Sequence, residues 1–273
     1  MGFLRIVIPL AAALLTFGPA ALLVGWIDRK KKFSREKRVF FSFLLGLALF
    51  VGGGFAYFGN YIRGDADAYE ALRSTSDVAV TKLGEDYLFD GPGTERALIF
   101  YPGAKIEAEA YAPLMQQLAG SGIDCFLLNM PLHMAFLGRE RAGAYLDSYN
   151  YNEWYLCGHS LGGAVAAFYA EEHPEQLSGL ILLAAYPAKP LDGELPLLLM
   201  YGDQDRVMRQ DVYEENRENW SCRSTEVILP GANHAQFGNY GKQRGDGAAQ
   251  IGAKEQQTRT TEEILRFIYG IAQ

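Results

Sequence analysis

Cysteine and histidine are scarce in this 273-residue chain, with three of the first and four of the second. Three thiols cannot build a disulfide framework. HExxH, CxxC, GxGxxG after a strand and the phosphate-cradling GxxxxGK[ST] are all missing, which removes the usual metal, dinucleotide and nucleotide signatures. Basic charge is thin over most of the length. Residues 64–273 hold 16 Lys/Arg against 30 Asp/Glu, net −14. Binding a phosphate backbone needs a basic face, so nucleic acid is excluded as the partner. The remaining composition, 49% hydrophobic and 13% aromatic, is that of a globular protein and excludes a disordered or collagen-like chain.

Uncharged length, by contrast, is plentiful at the N-terminus. Residues 6–27 form a 22-residue run without charge, and residues 39–62 another of 24. A helix crosses the ~30 Å hydrocarbon core in about 20 residues. Between the runs, residues 28–38 (DRKKKFSREKR) carry seven basic side chains, and such loops stay cytoplasmic. The pattern predicts a transmembrane hairpin over residues 1–63 in the cell membrane, spanning twice, with the acidic body outside the cytoplasm. Trp26, Tyr57 and Tyr61 lie near the run ends, where amphipathic rings favour the interface. Two other readings stay open. The first run as a cleaved signal peptide would force a seven-charge loop across the membrane, and a cytoplasmic body would break the charge rule.

Residues 64–77 read as a polar juxtamembrane linker, and residues 78–273 as one folded domain. There, strand-like runs alternate with helical ones. Val78–Thr81, Tyr87–Phe89, Ala97–Tyr101, Ile123–Met130, Trp154–Cys157, Gly179–Ala184, Pro196–Tyr201 and Ser224–Leu229 read as strands. Helices are expected over 107–119, 139–149, 160–172, 212–219 and 261–271, and the Gly/Gln-rich stretch 238–260 as a loop, either a solvated linker or a substitute lid. Such alternation implies an α/β fold on a mostly parallel sheet.

The chemistry centres on Gly158-His159-Ser160-Leu161-Gly162. A Gly-x-Ser-x-Gly between a buried strand and a helix is a nucleophile elbow, a turn so sharp that glycines must flank the serine. The bland alternative is a serine that caps the helix. A nucleophilic serine needs a base, and four histidines permit elimination. His159 is inside the elbow, His173 ends the following helix, and His133 precedes Ser160 in the chain. His234, after the last strand, gives the order serine, acid, histidine. The acid is expected after Pro196–Tyr201, where both Asp203 and Asp205 are available and one can simply brace the turn. Backbone amides of Ala104, after the Ala97–Tyr101 strand, and Leu161 stand where such an elbow places its oxyanion hole.

Tyr101–Lys105 (YPGAK), Gly158–Gly162 (GHSLG), Gly202–Asp205 (GDQD) and Gly231–His234 (GANH) together resemble the α/β-hydrolase superfamily over residues 78–271. The 231–241 stretch GANHAQFGNYG looks like a bacterial membrane-anchored subgroup related to dienelactone hydrolases. The resemblance implies an eight-stranded sheet with its second strand antiparallel, and an acyl-enzyme mechanism. It also implies Ser160 as nucleophile, Asp205 as acid, His234 as base, and no metal or organic cofactor. Pro102 departs from the histidine that lipases often carry before the oxyanion glycine. Only residues 185–194 stand where relatives insert a lid, so an open site for small or short-acyl esters is expected. Amidase, thioesterase or acyltransferase chemistry, or a non-catalytic ligand-binding module, would fit the same residues. The implied strand order puts Cys125 and Cys157 on strands separated by one other, about 10 Å apart and beyond disulfide reach.

Overall fold

The computed structural model describes residues 18–29 and 33–270. It divides into two units, Met1–Asn60 and Tyr61–Gln273. In the first, Arg35–Gly59 is one helix of 25 residues, opened by the Ser34 side chain accepting from the Lys37 N–H. Among the described residues it is the one helix long and apolar enough to cross a membrane. Its glycines 52–54 lie within the helix, as glycines commonly do in helices that face lipid. The expected run to residue 62 is shorter by three, because Asn60 leaves helical geometry and closes the helix. Residues 18–29 are helical too, whereas 6–17 and 30–32, which complete the first expected span and the basic turn, lie outside the described residues.

The second unit is an α/β sandwich. Its strands are β1 (Ala79–Leu83), β2 (Asp86–Asp90), β3 (Arg96–Tyr101), β4 (Asp124–Leu127), β5 (Glu153–His159), β6 (Gly179–Leu183), β7 (Leu197–Gly202) and β8 (Ser224–Leu229). They form one eight-stranded sheet in the order β1-β2-β4-β3-β5-β6-β7-β8. Strand β2 runs antiparallel to both neighbours, and every pairing from β4 to β8 is parallel. This is the α/β-hydrolase fold that the sequence implied. Strands β4, β6 and β7 are buried at every residue, as their unbroken apolar runs require in a sheet covered on both faces. Strand β3 lies between Cys125 on β4 and Cys157 on β5, in register Leu98↔Cys125 and Phe100↔Cys157.

Three expectations need correction. Strand β4 stops at Leu127 and not at Met130, because the Asn129 N–H turns to the Asp86 carboxylate, 2.7 Å away. Residues 64–77 are not a free linker. Ala66–Glu70 forms a short helix, the Asp65 N–H donates to the Asn239 carbonyl at 2.8 Å, and Gly64 N–H donates to Glu107 at 3.0 Å. The closing helix runs Ala253–Tyr269 and takes in eight residues of the expected 238–260 loop. Its polar residues face inward. Gln256 bonds both the N–H (3.0 Å) and the carbonyl (2.8 Å) of Asn233, and Gln257 donates to Gln236 and Asn239.

Asp86 ties the antiparallel edge to the layer above it. Its buried carboxylate accepts from the Asn129 N–H, from Arg141 at 2.6 Å and from the Tyr145 hydroxyl at 2.5 Å. Arg141 keeps 37% exposure, so water recovers part of that contact when it is lost. Asp86→Ala should therefore cost about 2 kcal/mol of unfolding free energy, read from urea denaturation.

Candidate active site

Strand β5 delivers Ser160 at the carboxyl edge of the sheet, one residue before the helix Leu161–Glu172. Ser160 has φ 53° and ψ −124°, an arrangement that costs a non-glycine residue about 1–3 kcal/mol and persists only where its surroundings enforce it. Those surroundings are close-packed backbone. A Cβ on Gly162 would stand 2.1 Å from the Tyr101 carbonyl oxygen, and one on Gly158 2.6 Å from the Gly162 backbone. The Ser160 N–H donates to Leu183 on β6 at 2.9 Å, while its side chain makes no capping bond to the helix. The capping alternative is thereby removed, and the hydroxyl is left for other use.

Beyond β7, the two aspartates separate. Asp203 is exposed and accepts from the Gly231 N–H at 2.8 Å, tying its turn to the loop of His234. Asp205 is buried, and one of its oxygens accepts from the N–H groups of Val207 (2.8 Å) and Met208 (2.9 Å). The other lies 2.8 Å from His234 Nδ1, and both partners are shielded from solvent. Since a carboxylate only accepts, Nδ1 carries the proton and Nε2 presents a lone pair. That Nε2 is buried without a hydrogen-bond partner among the described residues. The structure thus joins Asp205 to His234, and it sets the His234 ring 4.6 Å from that of His159, the neighbour of Ser160. Ser160 Oγ itself has no hydrogen bond among the described residues.

Asp246, in the stretch expected to be a loop, braces the histidine from behind. Its carboxylate accepts from the N–H groups of His234 (3.3 Å), Ala235 (2.9 Å) and Arg206 (3.3 Å). This contact escaped sequence reading because the Gly/Gln-rich surroundings of Asp246 carry no period.

The loop Pro102–Lys105 leaves β3 beside the elbow. It carries the Ala104 N–H, and its Lys105 adopts φ 58°. The fold of this loop is set from below. Gly103 N–H donates to the Tyr111 hydroxyl at 3.1 Å, and that hydroxyl lies 2.8 Å from His159 Nδ1. Tyr111 and His159 are both fully buried. Burial holds His159 well below its ordinary pKa, and the neighbouring His234 adds to this, so His159 is neutral and Nδ1 accepts from Tyr111. The same burial pushes the Tyr111 hydroxyl far up, keeping its proton in place.

The other two histidines stand apart from this cluster. His133 stacks on Tyr61 with ring centroids 3.8 Å apart, and His173 closes the elbow helix beside Glu140 at 3.6 Å. No three His, Cys, Asp or Glu side chains gather as a metal site among the described residues.

Residues 97–258 match the model of the alpha/beta hydrolase family, well over half of the chain. The chain belongs to that family. Among solved structures it is similar to Est1E from Butyrivibrio proteoclasticus (16% identity, TM-score 0.50, 71% of this chain and 100% of the other). It is similar also to alpha/beta hydrolase domain-containing protein 10 from mouse (13%, 0.50, 71% and 100%). A membrane phospholipase A described as a bacterial virulence factor matches at 16% identity and TM-score 0.51, over 84% of this chain and 98% of the other. At such identities the likeness is one of fold. No curated protein matches the sequence.

Tyr111→Phe removes the acceptor for Gly103 N–H and the donor for His159, leaving two buried polar groups unpaired. Such a loss costs about 1–3 kcal/mol. The variant should melt at a lower temperature, read by circular dichroism, because the loop carrying Gly103 and Ala104 is loosened.

Proposed function

We propose that this α/β hydrolase is a membrane-anchored serine hydrolase that cleaves carboxylic esters outside the cytoplasm. The observation that carries the reading is the buried Asp205–His234 pair, 2.8 Å apart, whose free Nε2 belongs to a ring packed beside the strained elbow of Ser160.

In this mechanism Ser160 Oγ attacks the ester carbonyl while its proton passes to His234 Nε2. Asp205 holds the ring in its reactive tautomer and stabilises the imidazolium. The carbonyl oxygen, now negative, accepts from the Ala104 and Leu161 N–H groups, each such donor supplying ~3 kcal/mol of barrier lowering. The C–O bond of the leaving alcohol breaks and the alcohol takes the proton from His234, leaving an acyl-Ser160 ester. Water, deprotonated by His234, then attacks that ester and releases the acid. Residues 185–194, between β6 and β7, contain no helix that would serve as a lid. So short a connection supports small or short-acyl esters as substrates, and the donor set calls for no metal or organic cofactor.

The membrane part of the proposal rests on the Arg35–Gly59 helix and its exposed apolar side chains, among them Phe40, Phe43 and Phe50. The seven basic residues at 28–38 support a cytoplasmic turn and an extracytoplasmic body.

Full-length protein in detergent should react with a fluorophosphonate probe, and Ser160→Ala should abolish the label. A folded wild type that does not react would overturn the serine mechanism. Asp205→Asn should keep the fold and lower kcat by about 10⁴-fold, through the wrong imidazole tautomer. A reporter fused after Gln273 should work only as an extracytoplasmic enzyme, and activity as a cytoplasmic one alone would reverse the orientation.

A further inference from the structure

The loop after β4, residues 131–138 (PLHMAFLG), is unlike the rest of the body's surface. Leu132, Phe136 and Leu137 are 49%, 52% and 46% exposed, and Ile62 is 37% exposed. Of the seven large apolar side chains exposed on residues 61–270, these are four. They belong together through hydrogen bonds. Ile62 bridges to Ile106, its N–H donating to the Lys105 carbonyl at 2.8 Å and its own carbonyl accepting from Glu107 at 2.9 Å. Lys105 N–H in turn donates to the His133 carbonyl at 2.7 Å, and Tyr61 stacks on the His133 ring.

The loop is also fixed in shape. Leu132 and His133 both hold positive φ (53° and 54°), and the turn is closed by His133 N–H to Met130 at 2.9 Å and Leu137 N–H to Met134 at 3.0 Å. Exposed leucine and phenylalanine held in a rigid loop are costly in water and mark a contact surface. Two further facts point to its occupant. Only Asn60 separates Tyr61 from Gly59, the last residue of the long apolar helix. An extended chain covers at most ~3.6 Å per residue, so Tyr61 is tethered within about 7 Å of that helix end. And Lys105, which holds the loop, directly follows Ala104 in the loop beside the elbow.

We propose that Ile62, Leu132, Phe136 and Leu137 form a pad that rests in the interfacial layer of the same bilayer that the Arg35–Gly59 helix spans. The inference rests on the reading of that helix as a membrane anchor. The pad seats the mouth of the Ser160 site against the lipid surface, so that an ester presented at the interface reaches the serine without crossing bulk water. Tyr61, next to Ile62 in the chain, is an amphipathic ring of the kind that favours the headgroup level.

The test uses the full chain with Cys222→Ser, since Cys125 and Cys157 are buried and Cys222 is the exposed thiol. One cysteine at a time is introduced as Phe136→Cys, Phe50→Cys or Glu175→Cys and labelled with the environment-sensitive dye NBD. The proteins are reconstituted into phosphatidylcholine vesicles with and without nitroxide-bearing lipid. The proposal expects the dye at position 136 to emit to the blue and to lose at least half its intensity to the nitroxide, as at position 50. The dye at 175, exposed between the elbow helix and β6, should stay red and unquenched. Quenching at 50 with 136 behaving like 175 would overturn the pad and leave the anchor standing. No quenching at 50 would overturn the anchor and the pad with it. A blue but unquenched signal at 136 would mean that protein, such as a second copy of the chain, covers the loop, and would also overturn the pad.

Discussion

Backbone meets backbone at the elbow, and the site depends on that contact. Gly162 lies so near the Tyr101 and Pro102 carbonyls that no side chain fits between them. This draws the first turn of the elbow helix against the end of β3 and forces Ser160 into a left-handed conformation. Because β3 and β5 are neighbours in the sheet, the same approach brings the Pro102–Lys105 loop beside the serine. The positions of Ala104 and Leu161 are thus set by close packing of main chain, with the Tyr111 hydroxyl holding the loop at Gly103. A structure that must keep two peptide units in van der Waals contact has little freedom elsewhere in the turn, and the central strands are accordingly buried on both faces.

Around that contact, two buried polar pairs do different work. Asp205 and His234 form one, with the carboxylate fixed by two backbone N–H groups and the imidazole left with a free nitrogen. Tyr111 and His159 form the other, in which the hydroxyl donates to Nδ1, accepts from Gly103 N–H and so supports that loop. Both histidines are buried and their rings are neighbours; His159 lacks a carboxylate partner, and burial keeps it neutral. Proximity to a serine alone does not distinguish a base from a prop; the partner on Nδ1 does.

Much of this was legible in the sequence, for identifiable reasons. The elbow is a local requirement, written in glycines two residues either side of Ser160. The parallel strands show as apolar runs because both faces are covered. The choice between Asp203 and Asp205 was not readable from residue type, since both carboxylates occupy one turn and differ only in which way they face. Tyr111 and His159 meet across 48 residues, and Asp65 meets Asn239 across 174, so neither contact leaves a period or motif. The start of the last helix was hidden by its chemistry. Gln256 and Gln257 look like linker residues, but they point inward to satisfy the main-chain groups of Asn233 and Gln236 on either side of His234. Polar composition signals solvent only when the polar groups lack partners inside.

The Ile62–Ile106 bridge also decides where this protein can be cut. Its two hydrogen bonds occupy the Lys105 carbonyl and the Glu107 N–H, the residues that carry the chain away from the oxyanion loop. Cleavage after Asn60 would release a body with that edge intact. Cleavage three residues later would strip Tyr61 from His133 and leave the edge open to water. If the Arg35–Gly59 helix is the proposed anchor, the boundary between tether and body falls at the Asn60–Tyr61 peptide bond, and only a cut on the helix side of Tyr61 leaves these hydrogen bonds and the Tyr61–His133 stack whole.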